Sequence, residues 1–109
     1  MLEKEIERKV ANIAEDMGMF TAHIKSTGKK GFPDRLFVTK GGYTFYVEFK
    51  TLSGNLSQLQ ELTINKMEDR NADVSVIRSV KDGIELLKRK RDCVQYFEFK
   101  GDLNVFINN

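Results

Sequence analysis

The spacing of apolar residues along the chain predicts three helices and six strands, joined by short polar segments. Near the N-terminus the apolar positions recur every three or four residues, and Gly18 ends that pattern. Later segments alternate apolar and polar residues, and the only proline, Pro33, precedes one of these strands. The predicted helices cover residues 3–17, 57–70 and 81–91, and the predicted strands cover residues 20–26, 35–39, 43–50, 73–79, 93–100 and 103–107.

The order of these elements predicts one α/β domain over residues 1–109, with helices packed on a mixed central sheet. A third helix and a β-hairpin over residues 93–107 complete the domain at its C-terminal end. This hairpin carries apolar residues on both faces, so one face can cover the core while the other contacts a second copy of the chain. The alternative is that both faces are ordinary core, shielded by the third helix.

The composition argues against several classes of protein. One cysteine, Cys93, cannot form a disulfide within the chain, which is typical of a reducing, intracellular setting. One histidine, His23, beside that cysteine leaves too few ligands for structural zinc. The charged opening segment MLEKEIERKV differs from a signal peptide, and no apolar run reaches the length of a membrane span. We therefore expect an intracellular protein with no membrane partner.

Positive charge is concentrated before the third predicted strand, although the formal net charge of the chain is only +2. Such a cluster is more often a solvated surface than a binding site, and it permits a partner that carries phosphate groups. The candidate nucleic-acid contacts in this cluster are Lys25, Lys29, Lys30 and Arg35.

Two segments of nearly identical sequence, FYVEFK at 45–50 and QYFEFK at 95–100, each place a glutamate and a lysine on one face of a strand. Only the first has an acid at a suitable distance upstream, because Asp34 lies fourteen residues before Glu48 across a turn at Gly41–Gly42. A symmetric hairpin would place these two acids opposite each other, with Lys50 beside them. The second copy is expected to form an exposed cross-strand charge pair.

Two carboxylates and a lysine at one place suit Mg²⁺ or Mn²⁺, which takes one or two carboxylates and keeps water molecules or substrate phosphate as its other ligands. A surface cluster of salt bridges fits the same spacing. Gln60 shares a helical stripe with Ile64 and Met67, so its amide should face inward and needs a partner. That partner is either a group at the acidic site or the N-terminal end of the helix itself, where Ser57 and Gln60 form a capping-box pattern.

These motifs resemble those of a known nuclease family. The PD and EFK segments resemble the PD-(D/E)xK nuclease signature. The segment KGFPDRLFV at 30–38 and the segment LSQLQ at 56–60 resemble stretches of the VRR-NUC family, the virus-type replication-repair nuclease domains. The segment IERKVANIAEDMG at 6–18 resembles the first helix of the wider Holliday-junction-resolvase-like group. The resemblance extends over residues 3–80 and implies a restriction-endonuclease-like αβββαβ core.

The resemblance also implies roles for individual residues. Asp34, Glu48 and the backbone carbonyl of Phe49 would hold Mg²⁺ or Mn²⁺. Glu7 would join them through a water or a second metal, with Glu3 as the alternative from the same helix. In addition, Lys50 would position the attacking water, and Gln60 would orient a metal ligand or Lys50.

The function implied by the resemblance is a metal-dependent, structure-selective DNA endonuclease. Members of the family without accessory domains resemble dimeric enzymes that cut Holliday-junction-like DNA, so we expect a homodimer acting in repair of branched DNA in a bacterial or phage-infected cell. No small-molecule cofactor is expected. Two alternatives are a monomeric flap or nicking nuclease, and a nuclease-like fold that binds nucleic acid without cutting it.

Overall fold

A computed structural model describes residues 1–25, 28 and 30–95, and within these ranges the helices and strands follow the predicted order. The predicted sequence of elements, αβββαβα, is therefore confirmed over this part of the chain. The elements are α1 Glu3–Asp16, β1 Phe20–His23, β2 Arg35–Val38, β3 Thr44–Phe49, α2 Gln58–Glu68, β4 Val74–Ile77 and α3 Val80–Lys90.

The four described strands form one mixed sheet in the order β1-β2-β3-β4. β2 runs antiparallel to both β1 and β3, and β4 runs parallel to β3. A parallel neighbour needs a crossover connection, and α2 lies within this one. In the β2–β3 hairpin Arg35 pairs with Val47. The next position outward on each strand therefore brings Asp34 and Glu48 opposite each other.

The predicted boundaries differ from the observed ones at the ends of the strands. The first strand was predicted over residues 20–26, but its pairing with β2 covers only Phe20–His23. Beyond His23 one more ladder hydrogen bond forms, from the Ile24 N–H to the Asp34 carbonyl at 2.8 Å, and the next residue of the opposite strand is Pro33, a residue typical of strand starts and edges. The predicted C-terminal hairpin and the second EFK copy lie largely in residues 96–109, outside the described residues.

The core lies between the sheet and the pair of helices α1 and α3. On β3 the buried residues Phe45, Val47 and Phe49 alternate with Tyr46 and Glu48, as strand geometry requires. The apolar face of the sheet includes a stacked pair, Phe37 and Phe45, whose ring centroids are 5.1 Å apart. It joins helix residues in a single buried cluster that contains Ile6, Val10, Ala14, Leu86 and Leu87. The opposite face carries Glu48, and α2 lies on that side of the sheet.

The N-terminal end of α2 has the predicted capping box. The backbone N–H of Gln60 donates to Ser57 Oγ at 3.1 Å, and the backbone N–H of Ser57 donates to Gln60 Oε1 at 2.9 Å. Ile64 is the only residue of α2 that is buried. The capping box therefore contributes much of the stability of α2. No helix in the described ranges has the length and apolar character needed to span a membrane.

Gly83 allows α3 to approach α1 closely, which gives the first testable prediction. A β-carbon at this position would lie 2.5 Å from Val10 Cγ2, and Val10 is a buried, stiff side chain. Overpacking a core costs roughly 1–3 kcal/mol, which exceeds the gain of roughly 0.5–1 kcal/mol from replacing a helical glycine by alanine. We expect Gly83→Ala to lower the free energy of unfolding, measured by urea denaturation. Glu85→Ala, on the exposed face of α3, should change it little, and an unchanged or raised value for Gly83→Ala would contradict the packing.

Candidate active site

Two carboxyl groups meet at the open end of the β2–β3 hairpin. Glu48 lies near the end of β3 and is only 2% exposed, whereas Asp34, just before β2, is half-buried. The backbone N–H of Phe49 donates to Asp34 Oδ2 at 2.8 Å. The main chain beside Glu48 therefore fixes the position of the opposing acid. The predicted pairing of Asp34 with Glu48 across the hairpin is the arrangement found.

The two oxygens of Glu48 have different surroundings. Oε2 accepts a hydrogen bond of 3.0 Å from Gln60 Nε2 and lies 3.7 Å from Lys50 Nζ. Oε1 is buried and has no hydrogen-bond partner among the described residues. A buried oxygen that carries part of a negative charge is costly to leave without a partner. This atom therefore marks a place where a positive ligand or a proton would be stabilised.

Both acids are hard to ionise in the absence of a cation. Burial, followed by repulsion from Asp34, raises the pKa of Glu48 to about 7, although Lys50 acts in the opposite direction. Burial also raises the pKa of Asp34, which is partly offset by the hydrogen bond from Phe49 and increased again by the charge of Glu7. The site therefore disfavours two negative charges and would be relieved by a bound cation.

Gln60 joins the N-terminal end of α2 to the acidic site. Its Oε1 accepts the capping bond from Ser57, and its Nε2 donates to Glu48 Oε2. The two partners that the sequence left open, a helix cap and a group at the site, are both present. A single amide serves both because its oxygen accepts while its nitrogen donates.

Lys50 lies between two acids that come from different elements. Its Nζ is 3.7 Å from Glu48 Oε2 and 3.9 Å from Glu3 Oε1, at the start of α1. Glu3 is thus the acid of α1 that contacts Lys50. The sequence indicates Glu3 as an alternative to Glu7 because the two acids lie one helical turn apart on α1.

Glu7 faces a different set of partners. Its Oε2 lies 2.8 Å from His23 Nδ1 and accepts a hydrogen bond of 3.0 Å from Arg35 Nε. His23 and Arg35 are themselves opposite each other on β1 and β2, and Arg35 also donates to Thr21 Oγ1 at 3.3 Å. Sequence reasoning considered His23 only as a zinc ligand. The pairing of β1 with β2 is what makes it a neighbour of Glu7.

The basic residues predicted to meet phosphate have different surroundings. Lys25 and Lys30 are exposed to solvent. Arg35 is half-buried and contacts Glu7, while Lys29 lies outside the described residues. Lys25 and Lys30 are thus the described members of the cluster that are accessible to a partner.

The donors at the acidic site fit a hard divalent cation. Within the described ranges, no three His, Cys, Asp or Glu side chains form a group that could hold a metal ion. Mg²⁺ needs no such group, because it commonly takes one or two carboxylates and completes its coordination with water or phosphate. The carboxylates of Asp34 and Glu48 meet that requirement, and Glu48 Oε1 is still without a partner among the described residues.

The comparisons with known proteins bear on the fold. A search of solved structures finds a VRR_NUC domain with a TM-score of 0.74 and 23% sequence identity. The chain has the fold of a VRR_NUC domain. The match covers 79% of this chain and 94% of that one, and it confirms the predicted architecture. No protein-family model and no curated protein matches the chain.

The raised pKa of Glu48 gives a prediction for the VRR_NUC-like domain without metal. Between the ordinary value of 4.5 and the folded value of about 7, the folded state binds the additional proton, so stability falls as the pH rises through this window. Glu48→Gln cannot ionise and should have a larger free energy of unfolding than wild type at about pH 8 in chelator. This advantage should shrink towards about pH 5.

The matched control is Glu61→Gln, an exposed change on α2, which should follow wild type at every pH. Urea denaturation across this pH range measures the effect. Parallel profiles for wild type and Glu48→Gln would contradict the raised pKa of Glu48, which burial and repulsion from Asp34 produce.

Proposed function

We propose that this chain is a metal-dependent endonuclease that hydrolyses phosphodiester bonds in DNA. One observation carries the proposal: Glu48, buried opposite Asp34, has an unpartnered carboxylate oxygen and lies 3.7 Å from the Lys50 ammonium. A binding module has no need for two repelling acids near phosphate. A phosphodiesterase needs them, because they hold a cation where negative charge develops. The nuclease-type fold supports the proposal independently.

Asp34 and Glu48, with the carbonyl of Phe49, would hold Mg²⁺ or Mn²⁺. When bound, such an ion stabilises charge on the phosphoryl oxygens and lowers the pKa of a coordinated water. The hydrogen bond from Phe49 N–H to Asp34 would fix one ligand, and the Gln60 amide would fix the other. Glu7 would contribute through a water molecule, since its Oε2 already contacts His23 and Arg35.

Lys50 would position the attacking water. Its Nζ is within 4 Å of both Glu48 and Glu3, so its position is set by acids from two elements. An ammonium there can donate to the water and balance the charge that develops on the phosphate in the transition state. Gln60 would keep Glu48 Oε2 directed toward Lys50.

The substrate we propose is branched DNA of the Holliday-junction kind. Lys25 and Lys30, which are exposed, would contact backbone phosphates, which gives affinity without reading sequence. A site of this kind selects by shape. One chain carries one such site, so paired incisions across a junction require two copies related by a two-fold axis. We therefore propose a homodimer.

The proposal predicts that Asp34→Ala and Lys50→Ala each reduce turnover by about 100-fold or more, since Asp34 would hold the cation and Lys50 would supply positive charge beside the developing negative charge. Both variants should remain folded and should still bind DNA. The assay incubates the chain with an end-labelled four-way DNA junction and with a linear duplex of matched sequence, in Mg²⁺, in Mn²⁺ and in chelator. Glu98→Ala, in the second EFK copy, is the matched control and should cut at the normal rate.

The products distinguish the alternatives. Paired incisions in the junction alone support a dimeric, structure-selective enzyme. Single incisions by a chain with the mass of a monomer favour a flap or nicking nuclease instead. Binding without any metal-dependent cutting would refute the nuclease and leave a binding module.

Metal binding has a separate readout that needs no activity. At about pH 8, Mn²⁺ at 100 times its Kd should stabilise the folded chain by about 2.7 kcal/mol, which raises the Tm by several degrees. Asp34→Ala should lose most of this shift, whereas Glu61→Ala, on the exposed face of α2, should keep it. Equal shifts for Asp34→Ala and wild type would show that the ion binds elsewhere.

A further inference from the structure

A groove of about 640 Å³ lies between α2 and the segment that leads to Pro33. Its apolar wall includes Phe32, Leu59 and Leu62, which are 37%, 45% and 51% exposed, respectively. We call it the α2 groove. All three side chains are among the large apolar residues of the described chain that stay exposed to solvent, and all three line this groove.

The polar lining of the α2 groove is cationic. Lys30, Lys66 and Arg70 line it, and no described acid does. By helical spacing, the acids Glu61 and Glu68 fall on the opposite side of α2. The helix thus separates its charges, with the basic side next to the apolar wall. This combination fits an anionic partner that also has apolar surface.

The α2 groove is lined by residues that are close in sequence to those of the acidic site. Phe32 lies two residues before Asp34, and Leu59 precedes Gln60, whose amide contacts Glu48. The loop is held against α2 at Gly31, where a β-carbon would lie 2.7 Å from the Leu59 carbonyl oxygen. A partner in the groove would therefore lie against the two elements that carry Asp34 and Gln60.

We propose that the α2 groove binds an unpaired stretch of the nucleic-acid strand that flanks the cleaved phosphodiester. This inference rests on the nuclease function proposed above and names its substrate more closely. Bases would stack on Phe32 and pack against Leu59 and Leu62, while Lys66 and Arg70 contact the phosphates. A continuous duplex presents mainly phosphates on its outside and would leave the apolar wall exposed to water, so it fits the groove less well.

The binding mode implies selection by structure and not by sequence. Every base has a face that can stack on an aromatic ring, so Phe32 accepts any base. Substrates with a few unpaired nucleotides next to the cut should therefore bind more tightly than fully paired ones. Flaps, and junctions whose base pairs open at the branch point, provide such nucleotides.

The test measures fluorescence anisotropy of labelled DNA with the full chain in chelator, so that binding is read without cutting. The probes are a blunt duplex, the same duplex with a single-stranded arm, and a version whose arm is abasic. Phe32→Ala removes the ring on which a base would stack, so it should weaken binding to the armed duplex by about tenfold. Affinity for the blunt and abasic-arm probes should stay near wild type.

Phe20→Ala is the matched control, since Phe20 is an exposed phenylalanine on β1, outside the groove. Leu62→Ala, half exposed on α2, repeats the test in case Phe32→Ala alters its loop. For the cations, Lys66→Ala should reduce the slope of log affinity against log salt by about 0.7 on the armed duplex. Lys88→Ala, exposed on α3, should leave that slope unchanged.

Three results would overturn the inference. In the first, Phe32→Ala and Leu62→Ala have the same affinity for the armed duplex as Phe20→Ala. In the second, they lower the affinity for the blunt and the armed duplex equally. In the third, wild type binds neither duplex. A change in the mass of Phe32→Ala in solution would also overturn it, and would assign the groove to a second copy of the chain.

The nuclease proposal fails separately from the groove. Binding of the arm through Phe32 with no cutting in Mn²⁺ would refute the nuclease and leave the groove. Metal-dependent cutting, with no effect of Phe32→Ala on binding of the arm, would refute the groove and leave the nuclease.

Discussion

The rest of this structure depends on holding two carboxyl groups against each other inside the protein. Asp34 and Glu48 lie opposite each other near the end of the β2–β3 hairpin; burial raises both pKa values, and repulsion from Asp34 raises that of Glu48 further. Such an arrangement costs stability and persists only where other elements hold it in place. Strand pairing fixes the backbone, the Phe49 amide holds Asp34, and α1 and α2 contribute Glu3 and Gln60.

Gln60 links the formation of a helix to the geometry of the site. The α2 helix buries only Ile64 and has a capping box at its first turn, so the cap matters more here than in a well-packed helix. The same amide that completes the cap holds Glu48 Oε2. A change that loosens the start of α2 would therefore also release a carboxylate at the acidic site, even though the two lie in different parts of the sequence.

Much of this arrangement could be predicted from the sequence, because it follows from local rules. Strand alternation and a turn at Gly41–Gly42 predict the Asp34–Glu48 pair, and the capping-box pattern predicts the start of α2. The contacts of Glu7 could not be predicted in this way. They depend on how β1 pairs with β2 and on where α1 crosses the sheet, and helical spacing describes only which side of α1 a residue occupies. Burial of Glu48 likewise follows from packing between elements, and the alternation within β3 indicates the face alone.

The hydrogen bond from Phe49 N–H to Asp34 has a consequence for how the site would respond to the loss of the ion that we propose it binds. A main-chain donor cannot rotate away as a side chain can, so Asp34 is tied to the strand that carries Glu48. When the ion leaves, the two acids cannot relieve their repulsion by swinging apart, and uptake of a proton is the remaining route. The empty and loaded forms should then share nearly the same backbone and differ chiefly in charge. The proposed ion could then bind and leave without refolding of the site.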